Sequence, residues 1–128
     1  MSRGLVDTSV FIAQEAGRPV DAAQLPSDLV ASVITIGELR AGVLATADVL
    51  ERDRRLDTLA KALRSVPVPI DQQVAEVWAR LRVQLRDRGR GMPINDSWIA
   101  ATAMALGIPV VTQDDDYAGI DGLEVIRV

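Results

Sequence analysis

The chain has 128 residues, contains neither cysteine nor histidine, and carries a net charge of −4 at pH 7. The missing cysteines exclude disulfides, zinc–thiolate sites and cysteine nucleophiles, and the missing histidines exclude Ser-His-Asp catalysis. Catalytic chemistry must therefore come from carboxylates, hydroxyls, arginines, the single Lys61 or a metal ion. The length suits one domain, spanning residues 1–128, with an ordinary apolar core.

The N-terminal residues do not have the pattern of a targeting segment. Ser2 and Arg3 lead directly into a short apolar run instead of a signal peptide. No apolar run reaches the roughly 18 residues that a membrane span needs. We therefore expect a cytoplasmic protein.

Short apolar or β-branched runs alternate with segments of helical periodicity along most of the chain. In chain order, the predicted elements are a strand at 4–7, a helix at 8–15, a loop at 16–27, a strand at 29–34, helices at 35–46 and 49–65, an extended piece at 66–70, a helix at 71–87, a loop at 88–93, a helix at 95–106, a strand at 109–112, a helical turn at 114–118 and a strand at 124–128. This alternation predicts an α/β fold with a mainly parallel sheet of four to five short strands flanked by helices.

Four acidic residues fall where such a sheet brings strand ends and helix starts to one edge. Asp7 stands at the carboxyl end of the predicted strand at 4–7, and Asp114 comes after the strand at 109–112. Glu38 and Asp96 lie in predicted first helical turns. Each also has a structural alternative. Asp7 is a possible N-cap and Asp114 a turn residue, while Thr35 and Glu38 match a capping box, and Asp96 suits the helix dipole.

The joint position of these acids favours a functional interpretation. Like charges crowded at one sheet edge raise one another's pKa and are costly unless a cation neutralises them. Sites with only oxygen ligands favour hard cations such as Mg²⁺ or Mn²⁺. One or two such ions activate water and stabilise the charge that develops on a phosphate. The sequence therefore predicts metal-dependent phosphodiester hydrolysis that needs no histidine.

Four segments of the chain resemble, in order and spacing, the sequence motifs of PIN domains. They read LVDTS at 5–9, ITIGELRAG at 34–42, NDSWIAATA at 95–103 and VTQDDDY at 111–117. Any one of these motifs is weak evidence, but four in register over nearly the whole chain are specific. The length and the Glu-Leu-Arg-x-Gly motif most resemble the toxins of VapBC toxin–antitoxin pairs.

The resemblance implies a Mg²⁺- or Mn²⁺-dependent endoribonuclease that cleaves a structured cellular RNA, forms a homodimer and is inhibited by a cognate antitoxin. It implies four catalytic and metal-binding acids, namely Asp7, Glu38, Asp96 and Asp114. Thr112 would orient Asp114 or a metal-bound water. The last motif departs from the family pattern in two ways. Gln113 stands where a basic residue is frequent, and the run of three acids at 114–116 makes Asp116 an alternative to Asp114 as the fourth metal ligand.

Contacts with RNA and with other proteins are assigned to two further groups of residues. Arginines beside the expected site are candidates for binding phosphates, namely Arg86, Arg88 and Arg90 around the 89–91 loop, and Arg40. The alternative is that they are solvated surface charges. Apolar residues left over from the core-facing helical stripes indicate contact surfaces, unless they complete an ordinary core: Val49, Leu50, Val66, Val68 and Val83.

Two other classes of protein compete with a nuclease. A phosphoryl-transfer domain also carries an Asp after a parallel strand, but a receiver domain needs a lysine after a late strand, where this chain has Gln113. A dehalogenase-like phosphatase needs a second Asp two residues after the first, where Ser9 stands. A catalytically silent PIN module that only binds a partner stays open, and metal-dependent RNA cleavage that is lost in Asp7→Asn would separate it from an enzyme.

Overall fold

The computed structural model describes residues 2–128 and contains one sheet in which all neighbouring strands are parallel. In the spatial order β2-β1-β3-β4, the strands are β1 (Arg3–Val6), β2 (Asp28–Val30), β3 (Val110–Thr112) and β4 (Val125–Arg127). The helices are α1 (Thr8–Glu15), α2 (Val33–Leu44), α3 (Val49–Ala62), α4 (Gln72–Asp87) and α5 (Ile94–Leu106), with a short 3-10 helix at Ala22–Gln24. The predicted α/β fold with a mainly parallel sheet is confirmed.

Helices cover both faces of the sheet. Successive side chains of β1 and β3 point to opposite faces, so each of these strands packs against both layers of helices. Leu5 and Val110 pack with buried residues of α4 and α5, whereas Val6 and Val111 pack with Val10 of α1. Burial on both faces explains why these strands are continuous apolar runs instead of alternating ones. The parallel arrangement brings the carboxyl ends of all four strands to one edge, where Asp7 and Asp114 follow.

A second apolar cluster lies where α2 packs against α3. Leu39 and Val43 of α2 contact Leu59 and Ala62 of α3. On α5, the side chains of Ile99, Ala100 and Ala103 are fully buried, each with 0% of its surface exposed. The start of α5 is therefore fixed against the core, and the side chains of its first turn are held at the sheet edge.

The strand predicted at 29–34 is wrong in its second half. The strand β2 ends at Val30, and Ser32 caps α2 by accepting a hydrogen bond from the Ile34 amide at 3.0 Å. Val33 and Ile34 therefore belong to the helix, although their β-branched side chains suited a strand equally well. Ser32 also pairs with Val68 in an isolated parallel bridge, which explains the extended piece at 66–70.

Smaller differences concern the ends of other elements. The helix α3 ends at Ala62 and not at residue 65. The helical turn predicted at 114–118 is a single hydrogen-bonded turn, in which the Ala118 amide donates to the Asp115 carbonyl at 3.1 Å. Between residues 2 and 128, no helix is both long enough and apolar enough to cross a membrane.

Candidate active site

Asp7 is a buried carboxylate held by three hydroxyl groups. It occupies the N-cap position of α1, but its side chain makes no capping hydrogen bond. Asp48 and Asp71, by contrast, cap α3 and α4 in the ordinary way. Asp7 is only 1% exposed, and its oxygens accept hydrogen bonds from Ser9 (2.6 Å), Thr112 (2.9 Å) and Tyr117 (2.9 Å). Since the charge is buried without serving the helix, capping does not account for it.

Thr112, the last residue of β3, links Asp7 to the acidic run that follows. Its Oγ1 donates to Asp7 Oδ2 and accepts a hydrogen bond from the Asp114 amide at 2.9 Å. The Ser9 hydroxyl lies 3.2 Å from Thr112 Oγ1 and accepts from the Gln113 amide at 3.1 Å. These bonds join the end of β1 to the end of β3, so the two strand-following acids have a fixed relative position.

Three further acids converge beside Asp7. Asp96, Asp114 and Asp116 can each place one carboxylate oxygen within 4.8 Å of the other two. Asp96 lies in the first turn of α5, while the other two belong to the turn between β3 and β4. The structure therefore brings Asp116 into the cluster together with Asp114, where the sequence left a choice between them.

The electrostatics of the cluster are those of crowded, partly desolvated carboxylates. Burial and the neighbouring charges of Asp7 and Asp116 raise the pKa of Asp96 to about 7. The pKa of Asp114 is also raised, first by burial and then by Asp7 and Asp116, and Arg127 opposes this rise. The acids thus destabilise one another's charged forms, which is the condition under which a bound cation is favourable.

The donor set fits a hard divalent cation. All the converging atoms are carboxylate oxygens, the ligands that Mg²⁺ and Mn²⁺ prefer. Around such an ion, with bonds of about 2.1 Å, no two ligand oxygens lie more than about 4 Å apart, and these three oxygens lie within 4.8 Å of one another. Within residues 2–128, Asp96, Asp114 and Asp116 form the one acidic group that converges in this way.

Glu38 is placed differently from the sequence prediction. It lies in the second turn of α2, because Ser32 and not Thr35 begins the helix, so the predicted capping box is wrong. Its Oε1 accepts a hydrogen bond from Thr8 Oγ1 at 2.8 Å, and the same oxygen of Thr8 lies 2.9 Å from Thr35 Oγ1. Since Thr8 directly follows Asp7, Glu38 is tied to the site through the start of α1, but it is not among the three converging acids.

Sequence reasoning missed two residues that contact Asp7. Tyr117 is fully buried 110 positions away in sequence, and burial together with the Asp7 charge raises its phenol pKa, so the group stays protonated and donates. Its signal was available, because it is the only tyrosine and directly follows the acidic run. Ser9 lies within the first motif but was considered only as a departure from phosphatase patterns.

The four arginines that were candidates for RNA contact occupy different settings. Arg86 and Arg88 are exposed and pair with aspartates at the surface. Arg40 is exposed as well. Arg88 pairs with Asp121, near the end of the connection between β3 and β4. Of these four, Arg90 alone contacts the part of that connection that carries the converging acids, where its Nη2 donates to the backbone carbonyl of Asp116 at 2.7 Å.

The PIN-domain model matches residues 4–123 of the chain. This chain belongs to the PIN-domain family. Ribonuclease VapC5 of Mycobacterium tuberculosis is 48% identical over 128 residues, which cover 98% of this chain and 95% of that protein. Ribonuclease VapC4 of the same organism is 48% identical over 126 residues, covering 98% of this chain and 97% of the relative. The resemblance inferred from the four motifs is confirmed.

The solved structures agree with the PIN assignment. A crystal structure of VapBC-5 from Mycobacterium tuberculosis, a member of the VapBC family of toxin–antitoxin systems, matches with a TM-score of 0.91 and 45% identity over 100% of both chains. The four PIN motifs of this chain therefore lie in a fold of the same kind, with the hydroxyl-bound Asp7 and the three converging acids at its sheet edge.

Proposed function

We propose that this PIN-domain protein is an endoribonuclease that depends on Mg²⁺ or Mn²⁺ and acts as the toxin of a toxin–antitoxin pair. The observation that carries the proposal is the convergence of Asp96, Asp114 and Asp116 beside the buried Asp7. The names of the close relatives, Ribonuclease VapC5 and Ribonuclease VapC4, support the substrate class. Since the proposed substrate is cellular RNA, we also propose that the protein acts in the cytoplasm.

The chain's own residues would hold the ion and keep it in place. A bound divalent ion supplies activation of water and stabilisation of charge on the scissile phosphate. Asp96, Asp114 and Asp116 provide the converging oxygens. Asp7 adds a fourth carboxylate beside these three acids. Three hydroxyl groups donate hydrogen bonds to its two oxygens and fix its orientation. We therefore propose ligand roles for Asp114 and Asp116 together.

Glu38 is retained in the proposed site as an acid at its rim. The hydrogen bond from Thr8 fixes its carboxylate next to the residue that follows Asp7. We propose that Glu38 acts through a water molecule or a second ion, since it lies outside the group of converging oxygens. Thr112, which contacts both Asp7 and the Asp114 amide, positions these two acids.

A protein partner and a homodimer are part of the proposal. The VapBC neighbour is a toxin–antitoxin system, which supports a cognate antitoxin for this chain. Several apolar side chains that the sequence left without a core partner are highly exposed, including Val49 (79%), Leu50 (73%) and Val66 (87%). Val83 is exposed as well, but Val68 packs partly against the main core, so its assignment to a contact surface is wrong. Exposed groups of this kind usually mark contact surfaces.

The proposal is tested by RNA cleavage with purified protein. We expect hydrolysis with Mg²⁺ or Mn²⁺, none in excess EDTA, and loss in Asp96→Asn. The matched control is Asp71→Asn, because Asn caps a helix as well as Asp and this residue lies outside the cluster. Hydrolysis that continues in chelator, or in Asp96→Asn, would contradict the proposal. A wild-type protein that binds Mn²⁺ and RNA without cleaving would be a silent binding module.

A further inference from the structure

The turn between β3 and β4 carries two of the three converging acids, and an arginine from another part of the chain holds it. We propose that Arg90 is a positioning residue for the metal site, which fixes the main chain at Asp116 so that this carboxylate meets Asp96. The proposal rests on the metal-dependent function proposed above. It assigns to Arg90 a role that differs from the RNA contact expected from the sequence.

The backbone at Arg90 is held in place by a hydrogen bond to the end of α4. Arg90 follows Gly89, whose φ of +63° favours glycine, and the Arg90 amide donates to the Leu85 carbonyl at 2.9 Å, which fastens the loop to the end of α4. The same loop continues into α5, which carries Asp96 three positions into the helix. The loop that contains Arg90 therefore leads directly to Asp96 and also contacts the turn that carries Asp114 and Asp116.

The guanidinium group lies along the turn. Its Nη2 donates to the Asp116 carbonyl at 2.7 Å, and its Nη1 lies 3.7 Å from the point that a Cβ on Gly119 would occupy. Gly119 has a φ of +74°, so the turn is closed by a residue that favours this conformation. The contact is with the backbone, so it fixes where the Asp116 side chain begins.

Arg90 does not act by neutralising the acids. Within the described residues it forms no ion pair, whereas Arg86 and Arg88 each pair with an aspartate. The arginine that lowers the pKa of Asp114 is Arg127. Arg90 thus leaves the negative charge of the cluster available for a cation while holding its geometry.

The test is the affinity of the whole protein for Mn²⁺, measured by calorimetry or by the electron paramagnetic resonance of free Mn²⁺. Loss of a group that orients a metal ligand typically weakens binding about 10- to 100-fold, and we expect a loss of about 10-fold or more in Arg90→Ala. Arg90→Lys, which keeps a cationic donor, should recover part of the affinity. Arg86→Ala is the matched control, because Arg86 pairs only with its neighbour Asp87, and it should bind Mn²⁺ as the wild type does.

A second measurement follows the turn itself. Hydrogen exchange of the amides at 114–119 should become faster in Arg90→Ala and stay unchanged in the Arg86→Ala control. If Arg90→Ala fails to fold, Arg90→Gln keeps part of the side-chain stem but is too short to reach the Asp116 carbonyl, and it should show the same loss of Mn²⁺ affinity.

The outcomes separate this proposal from the one on which it rests. A wild-type protein that binds no Mn²⁺ would overturn both. A wild-type protein that binds Mn²⁺, with equal affinity in Arg90→Ala, would overturn the positioning role alone. Unchanged Mn²⁺ affinity together with weaker RNA binding and a smaller salt dependence would make Arg90 a phosphate contact instead. Weaker Mn²⁺ binding with faster exchange of the turn supports the proposal.

Discussion

Replacing Asp96 with asparagine should stabilise the metal-free protein at neutral and higher pH. Burial and the neighbouring acids raise the pKa of Asp96 from 3.8 to about 7 in the folded state. Below pH 3.8 the folded and unfolded chains both carry the proton, so the group costs nothing. As the pH rises towards 7, the unfolded chain releases the proton first, so the folded state loses stability, and above pH 7 the loss is complete. Asparagine removes this loss.

The size of the gain follows from the pKa shift. A rise from 3.8 to about 7 corresponds to at most about 4 kcal/mol. Since the carboxyl group is still partly exposed, screening by solvent reduces the expected gain to about 1–2 kcal/mol. For a chain of this length, that gain raises the melting temperature by roughly 3–10 °C. The assay is thermal unfolding of wild type and Asp96→Asn in EDTA at pH 4 and pH 8.

The competing explanation of Asp96 predicts the opposite sign. An acid that only favours the helix dipole stabilises α5 by about 0.3–1 kcal/mol, so asparagine would lower the stability at pH 8. Equal or lower stability of Asp96→Asn at pH 8, or a gain of the same size at pH 4, would refute the crowding argument. Added Mn²⁺ should reverse the ranking, because ligand binding stabilises the wild type and not the variant.

Three further predictions concern other residues of the fold and site. Asp7→Asn should be less stable than the wild type by about 1–3 kcal/mol in metal-free buffer, because the three hydroxyl donors lose a carboxylate acceptor. Denaturant unfolding measures this difference, and a variant more stable than the wild type would contradict the prediction. Tyr117→Phe should lower Mn²⁺ affinity about 10-fold, as expected for loss of a hydrogen bond that orients a ligand, and unchanged calorimetric affinity would show that the phenol is not needed. Gly4→Ala should cost about 1–3 kcal/mol, since its Cβ would lie 2.8 Å from each of two side-chain atoms; the control Gly37→Ala, with nothing within 4 Å, should be neutral or stabilising in thermal unfolding.

The sequence was informative wherever local physical rules act. Helical periodicity predicted α4 almost to the residue, and apolar runs predicted the strands that lead to Asp7 and Asp114. The boundary between β2 and α2 was missed because Val33 and Ile34 suit both elements, and the hydroxyl of Ser32 decides between them. The displaced position of Glu38 in its helix follows from the same cap.

What the sequence could not supply was long-range pairing. Tyr117 contacts Asp7 across 110 positions, and no local pattern encodes that contact. Arg90 has the charge expected of an RNA ligand, but its partner is a backbone carbonyl, which looks the same at every position of a sequence. Both contacts depend on where the turn between β3 and β4 meets the other elements, and that position is set by the packing of the whole sheet.

The comparison among three aspartates shows how capping and function can be separated. Asp7, Asp48 and Asp71 all occupy N-cap positions, but only the side chains of Asp48 and Asp71 accept hydrogen bonds from backbone amides of their own helices. The Asp7 side chain instead accepts from hydroxyls that come from α1, from β3 and from the turn that follows β3. A helix N-cap needs a hydrogen bond only from an amide of its own helix. The Asp7 carboxylate is instead held by donors from three separate elements, so capping does not explain how it is held. The carboxylate held in this way lies close enough to Asp96 and Asp114 to raise the pKa of both.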